Sequence, residues 1–284
     1  MKPNHKEQKH EPKTTGHEWD GIQEYDNPDT LWLRYTFYIA VFFSLGYWVL
    51  FPAWPTPNNV GVLGWSSVRE VNRDIAEIEK IRKKYQDEFD KSSFEEIMKN
   101  PKLLKFALAG GKSVFENNCA QCHGVGGGGN PGGYPNLTTG AWLWGGKLDD
   151  LYTTIKYGIR SEHPDTRESI MAAFGKDKIL TADQINKVTD YVLSLSSTPD
   201  TTSEGHKIFQ ENCASCHGDK GQGGREFGAP NLSDAVWLYG NDRETIHDVI
   251  FNGRGGVMPY WEGKLSDSSI RQVVIYEHQL GGGE

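Results

Sequence analysis

Two runs of this chain carry residue types at a spacing that can hold a metal-bearing macrocycle. They are Cys119-Ala120-Gln121-Cys122-His123 and Cys213-Ala214-Ser215-Cys216-His217. In each, two thiols stand about one helical turn apart and an imidazole directly follows the second. Thiols so placed add to the two vinyl groups of a haem, and the imidazole reaches the iron from the same side. A zinc knuckle, a thioredoxin-like dithiol and a disulfide framework compete for the same cysteines. None of them explains why His follows the second Cys both times. Zinc held by both Cys pairs would leave the two histidines idle, and a dithiol would need a surrounding strand-helix-strand pattern that the sequence lacks. The expectation is two covalently bound haem c groups, attached at Cys119 and Cys122 and at Cys213 and Cys216, with His123 and His217 as proximal ligands. All four cysteines are then used.

Haem iron normally takes an axial ligand on each face. Of the four methionines, Met1 is the initiator and Met98 precedes both motifs, leaving Met171 and Met258, one after each motif. Either could instead fill a gap in a core, as the flexible thioether often does. Met258 lies in Gly255-Gly256-Val257-Met258-Pro259, where glycines permit a tight path and a proline fixes the chain just beyond the sulfur. Met171, in Ser169-Ile170-Met171-Ala172-Ala173-Phe174, lacks that proline, and His163 is near enough in sequence to be a rival ligand. A ligating imidazole also needs its other ring nitrogen hydrogen-bonded. Pro135 and Pro230, in a Pro-Asn-Leu that recurs after each motif, could supply that carbonyl or could merely shape a loop.

The elements that position these residues form an internal repeat. Gly111 to Gly124 matches Gly205 to Gly218, including Phe115 with Phe209 and Asn118 with Asn212, and Trp142 and Gly158 return as Trp237 and Gly253. Ile185, Val188 and Tyr191 return as Ile270, Val273 and Tyr276, so each half ends in a helix of similar apolar spacing. Ser194 to Ser203 reads as the linker between them.

Attachment of this kind is completed on the outer side of the bacterial inner membrane, so a crossing is expected upstream. Leu31 to Phe51 carries one formal charge, Arg34, and spans about 31 Å as a helix. A buried core helix and a signal peptide pass the same test. Against them stand the lack of polar periodicity, the charged segment ahead and the missing cleavage pattern. Aromatic residues line the span and Trp54, Pro52, Pro55 and Pro57 close it. Lys2, Lys6, Lys9, Lys13 and Arg34 precede or begin the span and the first basic residue after it is Arg69, which places the N-terminus inside. Residues 1–30 read as a polar cytoplasmic tail, with His5, His10 and His17 too loosely spaced for a metal site. Ser67 and Glu70 form a capping-box signature for a helix to about Phe89, with an apolar stripe through Val68, Val71, Ile75, Ile78, Tyr85 and Phe89 that packs within the chain or on another subunit. Asn100 and Pro101 open the next helix. The net charge of −8 argues against nucleic acid.

These features predict a mainly α chain: one N-terminal transmembrane helix followed by two tandem class I cytochrome c-like domains. The expected boundaries are 1–30 tail, 31–55 anchor, 56–100 periplasmic helical linker, 101–197 first cytochrome c domain and 198–284 second. One anchor ending in Gly46-Tyr47-Trp48, then Gly64-Trp65-Ser66, two CxxCH motifs and His163-Pro164 before Met171 together resemble the di-haem P subunit of cbb3-type cytochrome c oxidases. The resemblance covers nearly the whole chain after about Asn27. It implies a bacterial inner-membrane subunit that takes electrons from a donor cytochrome c or cytochrome bc complex. It would pass them through a mono-haem c subunit towards the haem-copper catalytic subunit that reduces oxygen and pumps protons. It also implies His/Met ligation of both irons, mapping here to His123 with Met171 and His217 with Met258. One departure is Ala172, where a proline would be usual after the methionine. Iron saturated by His and Met suits electron passage rather than substrate turnover, so no catalytic residue is expected in this chain. A tethered electron shuttle without oxidase partners and a di-haem peroxidase are the alternatives. Membrane lipid is the remaining expected partner.

Overall fold

Helix dominates, as expected. The structure, a computed structural model, describes residues 13–51, 61–281 and 283–284. It falls into two units, Met1–Ile81 and Arg82–Glu284.

The first unit holds a β-hairpin within the stretch read as a polar tail. Strands β1 (Thr14–Trp19) and β2 (Ile22–Tyr25) pair antiparallel, with Trp19 opposite Ile22. The turn between them is Asp20-Gly21, with φ 47° and 86°. Two left-handed residues match the right-handed twist of the flanking strands, and Asp-Gly is a residue pair that adopts this turn readily. Helix α1 (Leu31–Leu50) follows; it is long and apolar enough to cross a membrane, and none of its residues is buried within the protein. The hydroxyls of Thr36 and Ser44 donate to the carbonyls of Trp32 and Ala40, each at 2.8 Å, so neither is left unpaired in an apolar setting. Residues 52–60, which include Trp54 and the three prolines, lie outside the described residues.

Helix α2 (Ser67–Lys91) starts one residue earlier in its cap than expected: the Ser66 hydroxyl accepts from the Arg69 N–H, and Glu70 pairs with Arg73. Val68, Val71, Ile75 and Ile78 are exposed, while at the C-terminal end of the helix Phe89 is fully buried. The stripe is thus covered only within the second unit, where Tyr85 stacks on Phe106. Two helices lead on. Helix α3 (Phe94–Lys99), unforeseen in the sequence, is opened by a reciprocal Ser93/Glu96 capping box. Helix α4 (Pro101–Asn118) is capped as expected by Asn100, whose side-chain oxygen accepts from Lys102 and Leu103.

The remaining helices are α5 (Ala120–His123), α6 (Leu148–Tyr157), α7 (Ala182–Ser194), α8 (Glu204–Asn212), α9 (Ala214–His217), α10 (Arg243–Asn252) and α11 (Asp267–Leu280). Their packing departs from two beads on a string. α4 packs on α11, the last helix of the chain, and α7 packs on α8 and α10. The boundary expected at 197/198 falls in the turn between α7 and α8, two helices that pack on each other. The repeat therefore exchanges its C-terminal helices.

Each exchanged crossing rests on a glycine. A Cβ at Gly111 of α4 would stand 2.1 Å from the Gln272 carbonyl oxygen and 2.7 Å from Tyr276 Cβ on α11. A Cβ at the equivalent Gly205 of α8 would stand 2.4 Å from the Lys187 carbonyl oxygen and 2.9 Å from Tyr191 Cβ on α7. Beside them Phe115 meets Tyr276 with ring centroids 5.5 Å apart, and Phe209 meets Tyr191 at 5.4 Å. The first core gathers Phe115, Leu151 and Ile155 with Ile270, Val273 and Val274; the second gathers Ile185, Val188 and Val192 with Ile208, Phe209 and Ile246.

Gly111→Ala and Gly205→Ala should each lower the thermal stability of the haem-loaded chain, by about 1–3 kcal/mol for overpacking. Alanine is the better helix former by about 1 kcal/mol. A rise in melting temperature by circular dichroism would therefore show that neither crossing is as close as described.

Candidate functional site

Both CxxCH motifs sit where a helix runs on into one further turn. The Cys119 N–H donates to the Phe115 carbonyl at 2.8 Å, and the N–H groups of Cys122 and His123 donate to the Cys119 carbonyl at 3.1 and 3.0 Å. Cys213, Cys216 and His217 repeat this at 2.8, 3.1 and 2.9 Å. No disulfide joins the four cysteines. Burial pushes the Cys119 thiol up to about 12, helped by the charges of Glu277 and Cys122. Burial likewise pushes Cys213 up to about 12, with a smaller contribution from Cys216. Burial thus disfavours the thiolate at Cys119 and Cys213, the form that zinc binding and dithiol chemistry use. Among the described residues no group of three or more His, Cys, Asp or Glu converges as a metal site.

The histidines meet the two prolines as expected. His123 Nδ1 lies 3.1 Å from the Pro135 carbonyl oxygen and His217 Nδ1 lies 3.0 Å from that of Pro230. A carbonyl only accepts, so Nδ1 carries the proton and donates, and Nε2 keeps the lone pair that a metal needs. Burial lowers the basicity of both imidazoles, opposed in part by the same carbonyls. Each Pro loop is held by a glycine. The Gly129 and Gly223 N–H groups donate to the His123 and His217 carbonyls at 2.8 and 2.7 Å. A Cβ on Gly129 would come within 2.9 Å of Asn136 N, and one on Gly223 within 2.9 Å of Asn231 N.

The methionines are not where sequence order put them. Met171 lines a cavity of about 340 Å³ together with Cys213, Cys216 and His217. It packs on the core that also holds Cys213, Trp237 and Ile250. Met258 packs on the core that holds Cys119, Trp142 and Leu137. Met171, expected opposite His123, and Met258, expected opposite His217, each pack beside the other copy of the motif. The cause is the helix exchange, which carries the loop ahead of α7 and the loop ahead of α11 across with their helices. His163 is not free to compete as a ligand. Its Nδ1 accepts from the Asp165 N–H at 3.0 Å and its Nε2 lies 2.8 Å from Glu262, with Tyr157 and Tyr260 packed against the ring.

The residues fit a haem. The indole N–H of Trp142 is buried without a hydrogen-bond partner, whereas that of Trp237 donates to the Asp234 carbonyl at 3.2 Å. A buried donor without an acceptor calls for one, and a haem propionate is an acceptor of the right chemistry. A larger space of about 900 Å³ is lined from both halves, by Gly129, Pro135 and Trp142 on one side and Gly223, Pro230 and Trp237 on the other. Sequence reasoning paired Trp142 with Trp237 without giving them a role, and it passed over Gly129 and Gly223. The available signal was that these glycines stand at the same distance past each histidine.

Because the acceptor is a main-chain carbonyl, Pro230→Ala keeps it, and Gly223→Ala is the sharper test of its role. The added methyl should press the Pro230 loop away from His217, weaken the hydrogen bond and raise the reduction potential of that haem. A whole hydrogen bond, about 1 kcal/mol, sets the upper limit at roughly 40 mV for one electron. An unchanged potential in a folded, haem-loaded variant would sink the idea.

Three family models match successive parts of the chain. Residues 11–58 match the N-terminal domain of cytochrome oxidase-cbb3, FixP; residues 108–196 match cytochrome c; residues 200–276 match cytochrome C oxidase, cbb3-type, subunit III. The cbb3-type cytochrome c oxidase subunit FixP of Bradyrhizobium diazoefficiens is 47% identical over 95% of both chains. The subunits CcoP of Azospirillum brasilense and Cereibacter sphaeroides are 46% and 44% identical, each over 96% of both chains. With the paired histidine sites and the membrane-length helix, these likenesses establish that the chain belongs to the FixP/CcoP family of cbb3-type cytochrome c oxidase subunits.

Proposed function

We propose that the chain carries two covalent haem c groups, at Cys119 with Cys122 and at Cys213 with Cys216. His123 and His217 are the proximal ligands and Met171 and Met258 the distal ones. In this role it is an electron-transfer subunit of the oxidase. It takes electrons from a donor cytochrome c or cytochrome bc complex and hands them through a mono-haem c subunit to the haem-copper subunit. The observation that carries the reading is the twofold His-to-Pro hydrogen bond, which orients two neutral imidazoles in the same way at two buried CxxCH turns.

The bound haem supplies one-electron exchange at iron. The protein's own residues do the rest. Pro135 and Pro230 hold the Nδ1 protons and keep Nε2 directed to the metal. With haem bound, the thioethers of Met171 and Met258 would raise its potential relative to a second imidazole, and iron held by both His and Met would offer no position to oxygen or peroxide. The apolar cores around Phe115 and Phe209 exclude water and lower the local dielectric. The shared 900 Å³ space between the two Pro loops gives the centres a common boundary across which an electron can pass.

α1 anchors the chain in the inner membrane with its N-terminus in the cytoplasm, the orientation that the basic residues before it favour. The exposed stripe of Val71, Ile75 and Ile78 lies close in sequence to that anchor. It is the face on which a membrane-embedded oxidase subunit docks.

Affinity purification of the tagged chain from its native membrane tests this reading. Two haems per chain by pyridine haemochrome, co-purifying haem-copper and mono-haem subunits, and oxygen uptake with reduced cytochrome c are expected. One haem, or elution alone under conditions that preserve such complexes, would overturn it in favour of a tethered shuttle. Replacing Ile75 and Ile78 together by Glu should cut partner recovery at least several-fold with haem content unchanged; full recovery removes the docking face.

A further inference from the structure

The repeat sets like residues around its two CxxCH turns, and two of its departures carry charge. At the first turn the departure is Glu277. It follows Tyr276 in α11, so its counterpart after Tyr191 in α7 is Val192. Val192 belongs to the second core and lines the cavity shared by Cys213 and His217. Glu277 is only 8% exposed, and its charge is felt at Cys119. A carboxyl group therefore takes the place of a valine side chain at the first centre alone. Among the described residues no cation or hydrogen-bond donor meets that carboxyl, and burial alone pushes it up to about 7.

At the second turn the departure is Arg160. Gly158 and Gly253 close α6 and α10, and two residues further on Arg160 answers to Gly255. Arg160 lines the cavity that Cys213, Cys216 and His217 also line. Main chain alone holds its guanidinium: Nε donates to the Gly256 carbonyl at 2.6 Å and Nη1 donates to the Ser169 carbonyl at 2.5 Å. Carbonyls orient a cation without cancelling its charge, and among the described residues no carboxylate pairs with this one. The other arginine on the cavity, Arg254, is neutralised by Asp248 at 2.6 Å. Arg225, on the wider space between the two Pro loops, pairs with Glu284.

We infer that these two residues set the centres apart in potential. Glu277 lowers the potential of the haem at Cys119 and Cys122, Arg160 raises that of the haem at Cys213 and Cys216, and an electron arriving at either centre settles on the second. The inference rests on the reading of two haem c groups and adds their order. The step itself is the passage of one electron from a reduced donor to ferric haem, with no bond made or broken. It adds one negative charge, which a buried carboxylate opposes and a guanidinium favours. At an effective dielectric of about 20, a unit charge about 10 Å away changes such an equilibrium by roughly tenfold. Burial strengthens both effects, because salt screens buried charges least. The histidines contribute alike to the two centres, since each donates to its proline carbonyl at nearly the same distance, 3.1 and 3.0 Å.

The test is a spectroelectrochemical titration of the full two-haem chain in detergent at about pH 8, where the Glu277 carboxyl is ionised. Two one-electron steps are expected. Glu277→Gln, which keeps the shape of the side chain, should favour the lower-potential step by roughly tenfold and leave the higher one in place. Arg160→Gln should disfavour the higher-potential step by a similar factor and leave the lower one in place. A variant that moves the other step, or no step, overturns the order. Arg160→Lys keeps the charge but loses the bracket on two carbonyls, so it should hold the higher potential; a fall there assigns the effect to loop geometry and overturns the role of charge. Where Glu277→Gln does not load both haems, Glu277→Val, which copies the other half, gives the same reading. A single one-electron step in the unaltered chain overturns the two-haem reading itself, and the inference with it.

Discussion

Gly111 and Gly205 let two helices meet backbone to side-chain root, and most of the second unit follows from that approach. With α11 seated at Gly111, Ile270, Val273 and Val274 reach Phe115 and Leu151 and complete the core over the first CxxCH turn. With α7 seated at Gly205, Ile185, Val188 and Val192 do the same over the second. A glycine inside a helix costs about 1 kcal/mol of helix stability relative to alanine. Burying two or three further aliphatic side chains outweighs this, at about 1.5–3 kcal/mol each. The α11 end is secured further by Arg271, whose guanidinium donates to the Phe89 and Asp90 carbonyls at the close of α2, at 3.2 and 3.4 Å. Cationic side chains are favourable at that end of a helix dipole.

The same cores set the chemistry of the motifs. Burial lowers the basicity of the imidazoles and suppresses thiol ionisation. Taken alone, burial would leave a polar ring unpaired at Nδ1, at a cost of about 1–3 kcal/mol. The Pro135 and Pro230 carbonyls remove that cost and select the tautomer, so the fold delivers neutral, oriented imidazoles without a carboxylate partner. Potential can then be tuned through loop position alone, because the acceptor is main chain and the glycines at 129 and 223 fix how close it comes.

Much of this was legible in the residues. The CxxCH chemistry, the repeat, the proline carbonyls, the Asn100-Pro101 cap and the apolar span all follow from local rules, and the structure places them as those rules require. The crossing was not legible from periodicity. Ile185, Val188 and Tyr191 repeat as Ile270, Val273 and Tyr276, so the pattern fixes which face each helix buries but is indifferent to which copy it is buried against. A different signal pointed the right way. The connection between α7 and α8 is a short turn, and short connections make antiparallel neighbours. Two closed domains in sequence order would have required α7 to pack back on α4 instead. The β1–β2 hairpin leaves little trace in the sequence for a simpler reason: a two-stranded ribbon exposed on both faces shows no sustained apolar alternation and needs little beyond an Asp-Gly turn.

Exchange makes completion of the first half wait on residues far along the chain. α11 comes well after the first motif, yet the wall over Cys119 and Phe115 is built from it, and Glu284 donates its N–H to the Gly146 carbonyl beside Trp142 at 3.2 Å. Contacts of such sequence separation form late, because loop closure must precede them. Without α11 the first CxxCH turn would have α4 and its own loop but no covering helix. The second motif differs, since α7 precedes α8 and covers it as soon as both exist. Two motifs with nearly the same local structure therefore stand at different points of the assembly order, and the asymmetry comes from chain connectivity rather than from any residue in the motifs themselves.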